Sequence, residues 1–206
     1  MITACLDLEG DLIPEVWQNV SRLTGVPELM LTTRDVPDYD ELMNKRLKIL
    51  RENSLTIRHI QEAIATMEPL PGAIEFLAEL RSSVRVIILS DTFVEFMPSF
   101  MKQLDYPTLF CNSLEIGPDG AVTDYHLRQK RGKLEAVRAL KGLNFEVRAA
   151  GDSYNDLEMI LEADRGALFR STKSIQRDYP SLPAFTEFAD LLPFLTAPES
   201  VTTPVE

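Results

Sequence analysis

Three short apolar runs in this chain each break off at a cluster of acidic or hydroxyl side chains, and that recurrence limits the fold more than any other feature. Ile2–Leu6 ends in Asp7-Leu8-Glu9-Gly10-Asp11, Val84–Leu89 in Ser90-Asp91-Thr92, and Phe145–Ala150 in Gly151-Asp152-Ser153-Tyr154-Asn155-Asp156. Near-continuous apolar runs of this length read as strands buried on both faces, the condition of a parallel sheet covered by helices. In such sheets ligands bind outside the carboxyl ends of the strands, so the three polar clusters are expected on one rim.

The intervening segments agree with that reading. Pro14-Glu15-Val16-Trp17 opens a helical pattern that runs to Thr24-Gly25, with Pro early and Gly near the stop. Leu42, Met43, Leu47 and Leu50 keep a period near 3.6, as do Ile57, Ile60, Ile64 and Met67, which predicts two more helices between 39 and 67. Past Pro69-Leu70-Pro71-Gly72 the pattern alternates. Helices are expected at 72–81, 94–104, 132–141 and 155–163, and strands at 84–89, near Leu109, at 145–150 and at 166–169. Gly117-Pro118-Asp119-Gly120 links two short strand-like segments as in a hairpin. The expected fold class is α/β: a doubly wound, Rossmann-like parallel sheet built from 1–13 and 69–195, with a wholly helical insert at 14–68. Residues 196–206 read as a loose tail.

The chain has 206 residues, of which 45% are hydrophobic, enough for a substantial interior. No stretch approaches the roughly 20 apolar residues of a membrane helix. No basic region precedes the first strand, and the two cysteines sit in or after strand-like runs; both facts point to a reducing cytoplasm rather than to secretion. A net charge of -11 argues against a nucleic-acid partner. It does not exclude a small anionic substrate, since a cation and a few Lys or Arg side chains suffice for one positive pocket. A homo-oligomer stays open.

On the expected rim, Asp7 and Asp152 supply hard oxygen ligands suited to Mg²⁺. Ser90 offers a hydroxyl, and backbone N–H groups around Asp91, at the start of the following helix, could face an anion. Lys133 begins a helix after the hairpin and can reach inward. Plainer roles fall to other residues. Asp11 reads as a loop or cap residue, His59 and His126 as surface residues, Cys5 as core, and Asp35, Asp38, Asp40 and Glu41 as a solvated helix entrance. A receiver-like phosphoacceptor domain would use similar strand-end acids, Mg²⁺ and Lys. It would, however, alternate strand and helix from the start, where this chain carries a long helical insert.

The order of these elements resembles the haloacid dehalogenase superfamily of phosphatases: an Asp motif near the N-terminus, a Ser after the second strand, a later Lys, and Gly-Asp-x-x-x-Asp. The closer resemblance is to the phosphoserine phosphatases, whose helical cap lies between the first and second motifs. Glu15 matches that family's substrate-binding glutamate, and Leu42–Leu50 looks like the cap motif whose arginine, here Arg46, contacts the serine carboxylate. Arg46 shares the inward face of Met43 and Leu50. Lys133 matches the family's lysine in its place at a helix start, and for that reason is preferred to Arg128 and Lys130. Glu9 stands where the second aspartate is usual. Asp-Leu-Glu-Gly followed by Pro-Glu-x-Trp is similar to the ThrH group of phosphoserine phosphatases and homoserine phosphotransferases. So are Thr33–Asp40, Leu89–Phe93, Leu127–Lys130 and Ala149–Asp156.

The resemblance implies an Asp7 nucleophile, an aspartyl-phosphate intermediate, and Mg²⁺ held by Asp7, Asp152 and the Glu9 carbonyl. It further implies charge stabilisation by Lys133 and Ser90, acid/base work by Glu9, orientation of substrate by Asn155, and support from Asp156. Phosphoserine and homoserine are the implied small-molecule substrates. Enolase-phosphatases also carry Glu at the second position, and capped sugar phosphatases share the scaffold. Glu15 and Arg46 are the discriminators, since an amino acid needs both charges and a neutral polyol neither.

Overall fold

The computed structural model describes residues 1–32, 35, 36 and 38–197. Thr33, Arg34 and Pro37, which belong to one of the matching stretches above, lie outside the described residues, as do positions 198–206 of the expected tail.

The strands are β1 (Ile2–Leu6), β2 (Arg85–Phe93), β3 (Thr108–Ile116), β4 (Val122–His126), β5 (Glu146–Gly151), β6 (Arg165–Phe169) and β7 (Ala184–Phe185). They form one sheet in the order β4-β3-β2-β1-β5-β6-β7. Every pairing is parallel except β3 with β4, the hairpin expected around Gly117–Gly120. The doubly wound sheet is thus as read from the sequence.

Period-2 alternation sends the side chains of β1 to two different cores. Ala4 and Leu6 pack with Phe76, Leu77, Leu80, Leu191 and Leu195 on one face, and Cys5 with Val137, Val147, Ala149 and Ile160 on the other. The first face is covered by α4 (Ala73–Ser83) and α9 (Phe188–Thr196), the second by α6 (Gly132–Gly142) and α7 (Leu157–Glu162). The chain winds outward from β1 through β2 to β3, then crosses back to place β5 on the opposite side of β1. The end of β1 is therefore a topological switch point, where neighbouring connections diverge and leave a crevice.

Between β1 and β2 the described chain contains no strand. It forms α1 (Val16–Thr24), a 3₁₀ turn at Pro27–Met30, α2 (Tyr39–Glu52) and α3 (Ile57–Ala65). Pro14 lies just outside α1, with Glu15 at the N-cap, and Gly25 closes the helix in the left-handed region at φ 71°. Asp38, read as part of a solvated entrance, caps α2 by accepting the Glu41 amide at 2.8 Å. His59, exposed as expected, accepts the Thr56 amide at 3.0 Å and caps α3. The two ends of the excursion meet where Leu70 N–H donates to Leu12 O at 2.8 Å. We infer from this closed base that 14–68 is an inserted cap, although Val16, Trp17, Val20, Met43 and Leu47 share the apolar cluster of the sheet.

Some boundaries differ from the expectation. The helix expected over 94–104 is a 3₁₀ turn, Val94–Phe96, followed by α5 (Pro98–Gln103), because Pro98 cannot donate into a preceding turn and starts a new one. The helix expected over 155–163 likewise opens with a 3₁₀ turn, Tyr154–Asp156. A further helix, α8 (Lys173–Asp178), precedes β7. The last helix runs through Thr196, one residue into the segment read as a tail.

Trp17 joins insert to core: it is 8% exposed, meets Phe96 edge-on at 5.5 Å and carries the Arg46 guanidinium over its ring at 4.5 Å. Trp17→Ala should lower the unfolding free energy by about 3–5 kcal/mol in urea titration, the usual cost of emptying such a site.

Candidate active site

Asp7 follows β1 and is 5% exposed, its amide held by the Ala150 carbonyl at 3.1 Å. Lys133, the second residue of α6, lies buried against it. Its Nζ donates to Asp7 Oδ1 at 2.8 Å and to Asp156 Oδ1 at 2.6 Å, and stands 4.0 Å from Asp91 Oδ2. Asp7, Asp152 and Asp156 each bring a ligand atom within 4.8 Å of the others. One ammonium faces three carboxylates, so the cluster carries an excess of negative charge in a desolvated place.

That excess is visible in the acidities. Burial, Asp156 and, more weakly, Asp152 hold Asp7 well above the ordinary carboxylate range, although Lys133 opposes them. Burial, then Asp156 and Glu15, push Asp152 up to about 6. Hard oxygen donors with uncompensated charge fit a divalent cation such as Mg²⁺. Backbone conformation makes the cluster possible. Gly10 has φ +87°, and a Cβ there would come within 2.7 Å of Asp152 Oδ2; a Cβ on Gly151 would meet Asp156 Cγ at 2.4 Å. Only glycine lets the loop after β1 and the end of β5 pack this closely against the acids.

Asp156 has both oxygens occupied by protein donors. Oδ1 takes Lys133, and Oδ2 takes the Ser153 amide at 3.0 Å and hydroxyl at 2.9 Å. It orients the lysine and the turn after β5. The Glu9 carboxylate points elsewhere, with Oε2 accepting the Val16 amide at 2.9 Å at the start of α1. Burial and neighbouring Glu15 push it up to about 7, against the pull of the Val16 amide.

A cavity of about 140 Å³ runs from Asp7, Ser90, Lys133 and Asp152 at one end to Glu15, Trp17 and Arg46 at the other. It is smaller than pockets for drug-sized ligands and suits a compact metabolite. Arg46 is buried as its helix face predicts. One guanidinium nitrogen donates to Leu31 O at 2.8 Å and another contacts Met43 Sδ at 3.7 Å, while Nε has no partner. Burial lowers its pKa to about 10, opposed by Tyr39, Glu9 and Glu15.

Ser90, Asp91 and Thr92 do not start a helix, contrary to the reading above. They lie inside β2, where the register against β3 shifts between Leu89 and Phe93 and bulges these residues out of the ladder. Ser90 is buried with its Oγ accepting the Thr92 amide at 3.2 Å. The Asp91 carboxylate accepts from Asn155 at 3.1 Å, and its carbonyl accepts from Tyr39 Oη at 3.1 Å and Asn112 at 3.2 Å. Asn155 is exposed at the cavity mouth and also contacts the Ser153 hydroxyl.

Asp11 lies in the turn after β1, a loop residue as read. It is 2% exposed, neither carboxyl oxygen has a hydrogen-bond partner, and burial followed by Asp7, Asp156 and Asp152 holds it well above the ordinary range. Leu12 N–H returns to Leu8 O at 2.9 Å, and this tight turn carries Asp11 inward with it. Trp17, Gln18 and Tyr39 line the cavity without having been singled out as site residues in the sequence; for Tyr39, the Asp38-Tyr39-Asp40 stretch was the available signal.

The sequence profile of the haloacid dehalogenase-like hydrolases matches residues 17–161. The chain belongs to this family. Within it, the chain is 50% identical over 191 residues, 93% of each protein, to phosphoserine phosphatase ThrH of Pseudomonas aeruginosa. It is 48% identical to a phosphoserine phosphatase of Pseudomonas syringae pv. tomato, covering 91% of this chain and 79% of that one. The same hydrolase fold occurs in a crystal structure of phosphoserine phosphatase in apo form, with TM-score 0.77, 21% identity and coverage of 94% of this chain and 98% of that one. A phospho-aspartyl intermediate analogue of phosphoserine phosphatase matches with TM-score 0.76 at 20% identity and the same coverage of 94% and 98%. The chain is thus an enzyme of the hydrolase family. Among the described residues no helix is long and apolar enough to cross a membrane.

Asp7, Glu9, Asp11 and Asp152 all sit above their ordinary values, so between about pH 4 and 7 the folded protein binds more protons than the unfolded chain. Stability of the metal-free enzyme should therefore fall as pH rises through this window. Thermal midpoints measured at pH 5 and 8 should show the drop, Mg²⁺ should raise the midpoint most at pH 8, and Asp11→Asn should shrink the difference. A midpoint unchanged or higher at pH 8 without metal would contradict the assignment.

Proposed function

We propose that this hydrolase is a Mg²⁺-dependent phosphoserine phosphatase that works through an Asp7 aspartyl phosphate and can pass the phosphoryl group to homoserine instead of water. The observation that carries the reading is a single small cavity with unlike ends. At one end stand Asp7, Ser90 and Lys133; at the other, Glu15 and Arg46, whose Nε is buried without a partner. Arg46 lines this cavity, and a substrate carboxylate there would meet its guanidinium with a charge-assisted bond. Glu15 beside it suits an α-ammonium group. A neutral sugar or polyol brings neither a carboxylate for Arg46 nor an ammonium for Glu15. The 50% identity to a protein described as phosphoserine phosphatase ThrH supports the same choice.

In the first step an Asp7 Oδ attacks phosphorus, the Asp7 O–P bond forms and the bond from phosphorus to the serine oxygen breaks. Glu9, which near pH 7 is divided between its two protonation states, gives its proton to that oxygen. In the second step Glu9 takes a proton from the acceptor as the acceptor oxygen bonds phosphorus and frees Asp7. Lys133 and the Ser90 hydroxyl stabilise the oxygens on which charge gathers. Asp156 keeps Lys133 in place, and Asn155 orients the phosphate end from the cavity mouth. Asp7, Asp152 and the Glu9 carbonyl would hold Mg²⁺, which when bound offsets the repulsion between carboxylate and phosphate. Homoserine shares the α-amino acid end of serine, so Glu15 and Arg46 serve donor and acceptor alike.

Asp7→Asn should abolish phosphoserine turnover, and metal-dependent hydrolysis surviving in that variant would remove the nucleophile. Glu9→Gln should slow phosphoserine hydrolysis by about 10²–10⁴-fold, with a much smaller effect on aspartyl-phosphate formation from p-nitrophenyl phosphate, whose leaving group needs no proton.

Arg46→Ala should raise KM for phosphoserine by about tenfold or more, the scale of a lost charge-assisted bond, and leave aryl phosphate hydrolysis nearly unchanged. Equal losses on both substrates would mean a structural role. With phosphoserine and homoserine supplied together, homoserine phosphate should accumulate; its absence would confine the enzyme to hydrolysis.

A further inference from the structure

On the far side of Asp91 lies a second cavity of about 780 Å³. It shares Tyr39, Ser90, Asp91, Lys133 and Asn155 with the catalytic cavity, so the two meet around the β2 bulge and the Tyr39 ring, while Glu15 and Arg46 line the smaller cavity alone. Its outer wall includes the exposed Arg128 and Lys130, which brings it to the protein surface.

The charges around it are unequally committed. Lys133 is held by Asp7 and Asp156, and Arg131 by Glu158 at 2.5 Å. Among the acids, Asp40 contacts the Tyr125 hydroxyl, Asp38 caps α2 and Asp91 accepts from Asn155. Arg128 and Lys130 are left with no acidic partner among the described residues. Arg128, Lys130, Arg131 and Lys133 balance Asp38, Asp40, Asp91 and Glu158 around the cavity, so in a chain of net charge -11 it is locally neutral, with Arg128 and Lys130 as the cations outside any ion pair.

Arg128 is also fixed in place. Its guanidinium lies 4.8 Å over the Phe110 ring, and its amide donates to Asn112 Oδ1 at 3.1 Å. Asn112 in turn donates to the Asp91 carbonyl at 3.2 Å, which ties the basic wall to the bulge that carries Ser90. The insert, meanwhile, is fastened over the amino-acid end. Tyr39 reaches the Asp91 carbonyl, Ile57 N–H donates to Gly120 O at 2.9 Å, and Gln61 donates to Glu95 O at 2.8 Å.

We propose that this cavity is a second anion subsite, with Arg128 and Lys130 as its ligands, which receives inorganic phosphate after it leaves Ser90 and Lys133. Phosphate then departs on the side away from the amino-acid product. The inference rests on the phosphatase reading above, and it gives a role to two cations that the catalytic site does not use.

Isothermal titration of the Mg²⁺-loaded enzyme with inorganic phosphate should resolve two binding events, and Arg128→Ala/Lys130→Ala should lose one. The same double variant should raise the phosphate inhibition constant about tenfold, measured with p-nitrophenyl phosphate as donor, while inhibition by serine stays unchanged. The charge-preserving Arg128→Lys/Lys130→Arg protein should recover most of the difference. Identical stoichiometry and inhibition constants in wild type and the double variant would overturn the subsite. Failure to hydrolyse phosphoserine would instead overturn the substrate reading and leave the titration interpretable.

Discussion

The buried Lys133 ammonium is the interaction on which the active end of this molecule depends. It bridges Asp7 after β1 and Asp156 after β5, at 2.8 and 2.6 Å, from the first turn of α6. Burial opposes its charge, yet the attraction of Asp156 and Asp7 outweighs that cost and holds its pKa well above the ordinary value. A buried charge with two good partners contributes little net stability, but losing either partner is expensive. The pair of contacts therefore acts less as a glue than as a fixed geometry. It sets the distance between the two strand ends at which the chemistry is proposed to occur.

Because Lys133 supplies one positive charge to three clustered carboxylates, the site is unbalanced by design of its own residues. Two solutions are open to it, protons at low pH or a divalent cation at higher pH, and they compete for the same oxygens. Glu9 escapes this competition. Its carboxylate turns to the amide at the start of α1, where a helix N-terminus favours an anion, while Glu15 and burial oppose ionisation. Two acids separated by one residue are thereby given different environments. That separation is what an attacking carboxylate and a proton donor would each require.

Much of this was legible in the residues. An apolar run that stops at an acid marks the functional end of a strand, and a central β1 gathers the clusters after β1, in the β2 bulge and after β5 onto one rim. Arg46 could be placed because helical periodicity fixes which face it shares. What was not legible depends on contacts the local pattern does not encode. Ser90-Asp91-Thr92 is degenerate between a helix cap and a strand bulge, and only the pairing of β2 with β3 decides for the bulge. Asp11 could be read as a loop residue, but its burial could not, since the turn from Leu8 to Ile13 folds back into the core. Tyr39 reaches Asp91 across 52 residues of chain, which no window could reveal.

The two cavities give the reaction a direction in space. In the proposed reaction an acceptor that replaces serine occupies the ground serine has vacated, with Glu15 and Arg46 as the groups proposed to meet the charges of an amino acid. Phosphate has no such requirement and carries its charge to the other end, where Ser90, Asp91, Lys133 and Asn155 border the larger cavity. With the insert fastened to the hairpin and to Asp91, the narrow amino-acid end is the guarded one and the phosphate end faces the basic wall of Arg128 and Lys130. In the proposed sequence an acceptor settles in the narrow end once serine has left, while the phosphoryl group is still bonded to Asp7. On the proposed reading, transfer to an alcohol competes with hydrolysis through the occupancy of one small pocket, and the longer carboxylate of Glu9 is the side chain proposed to decide that contest.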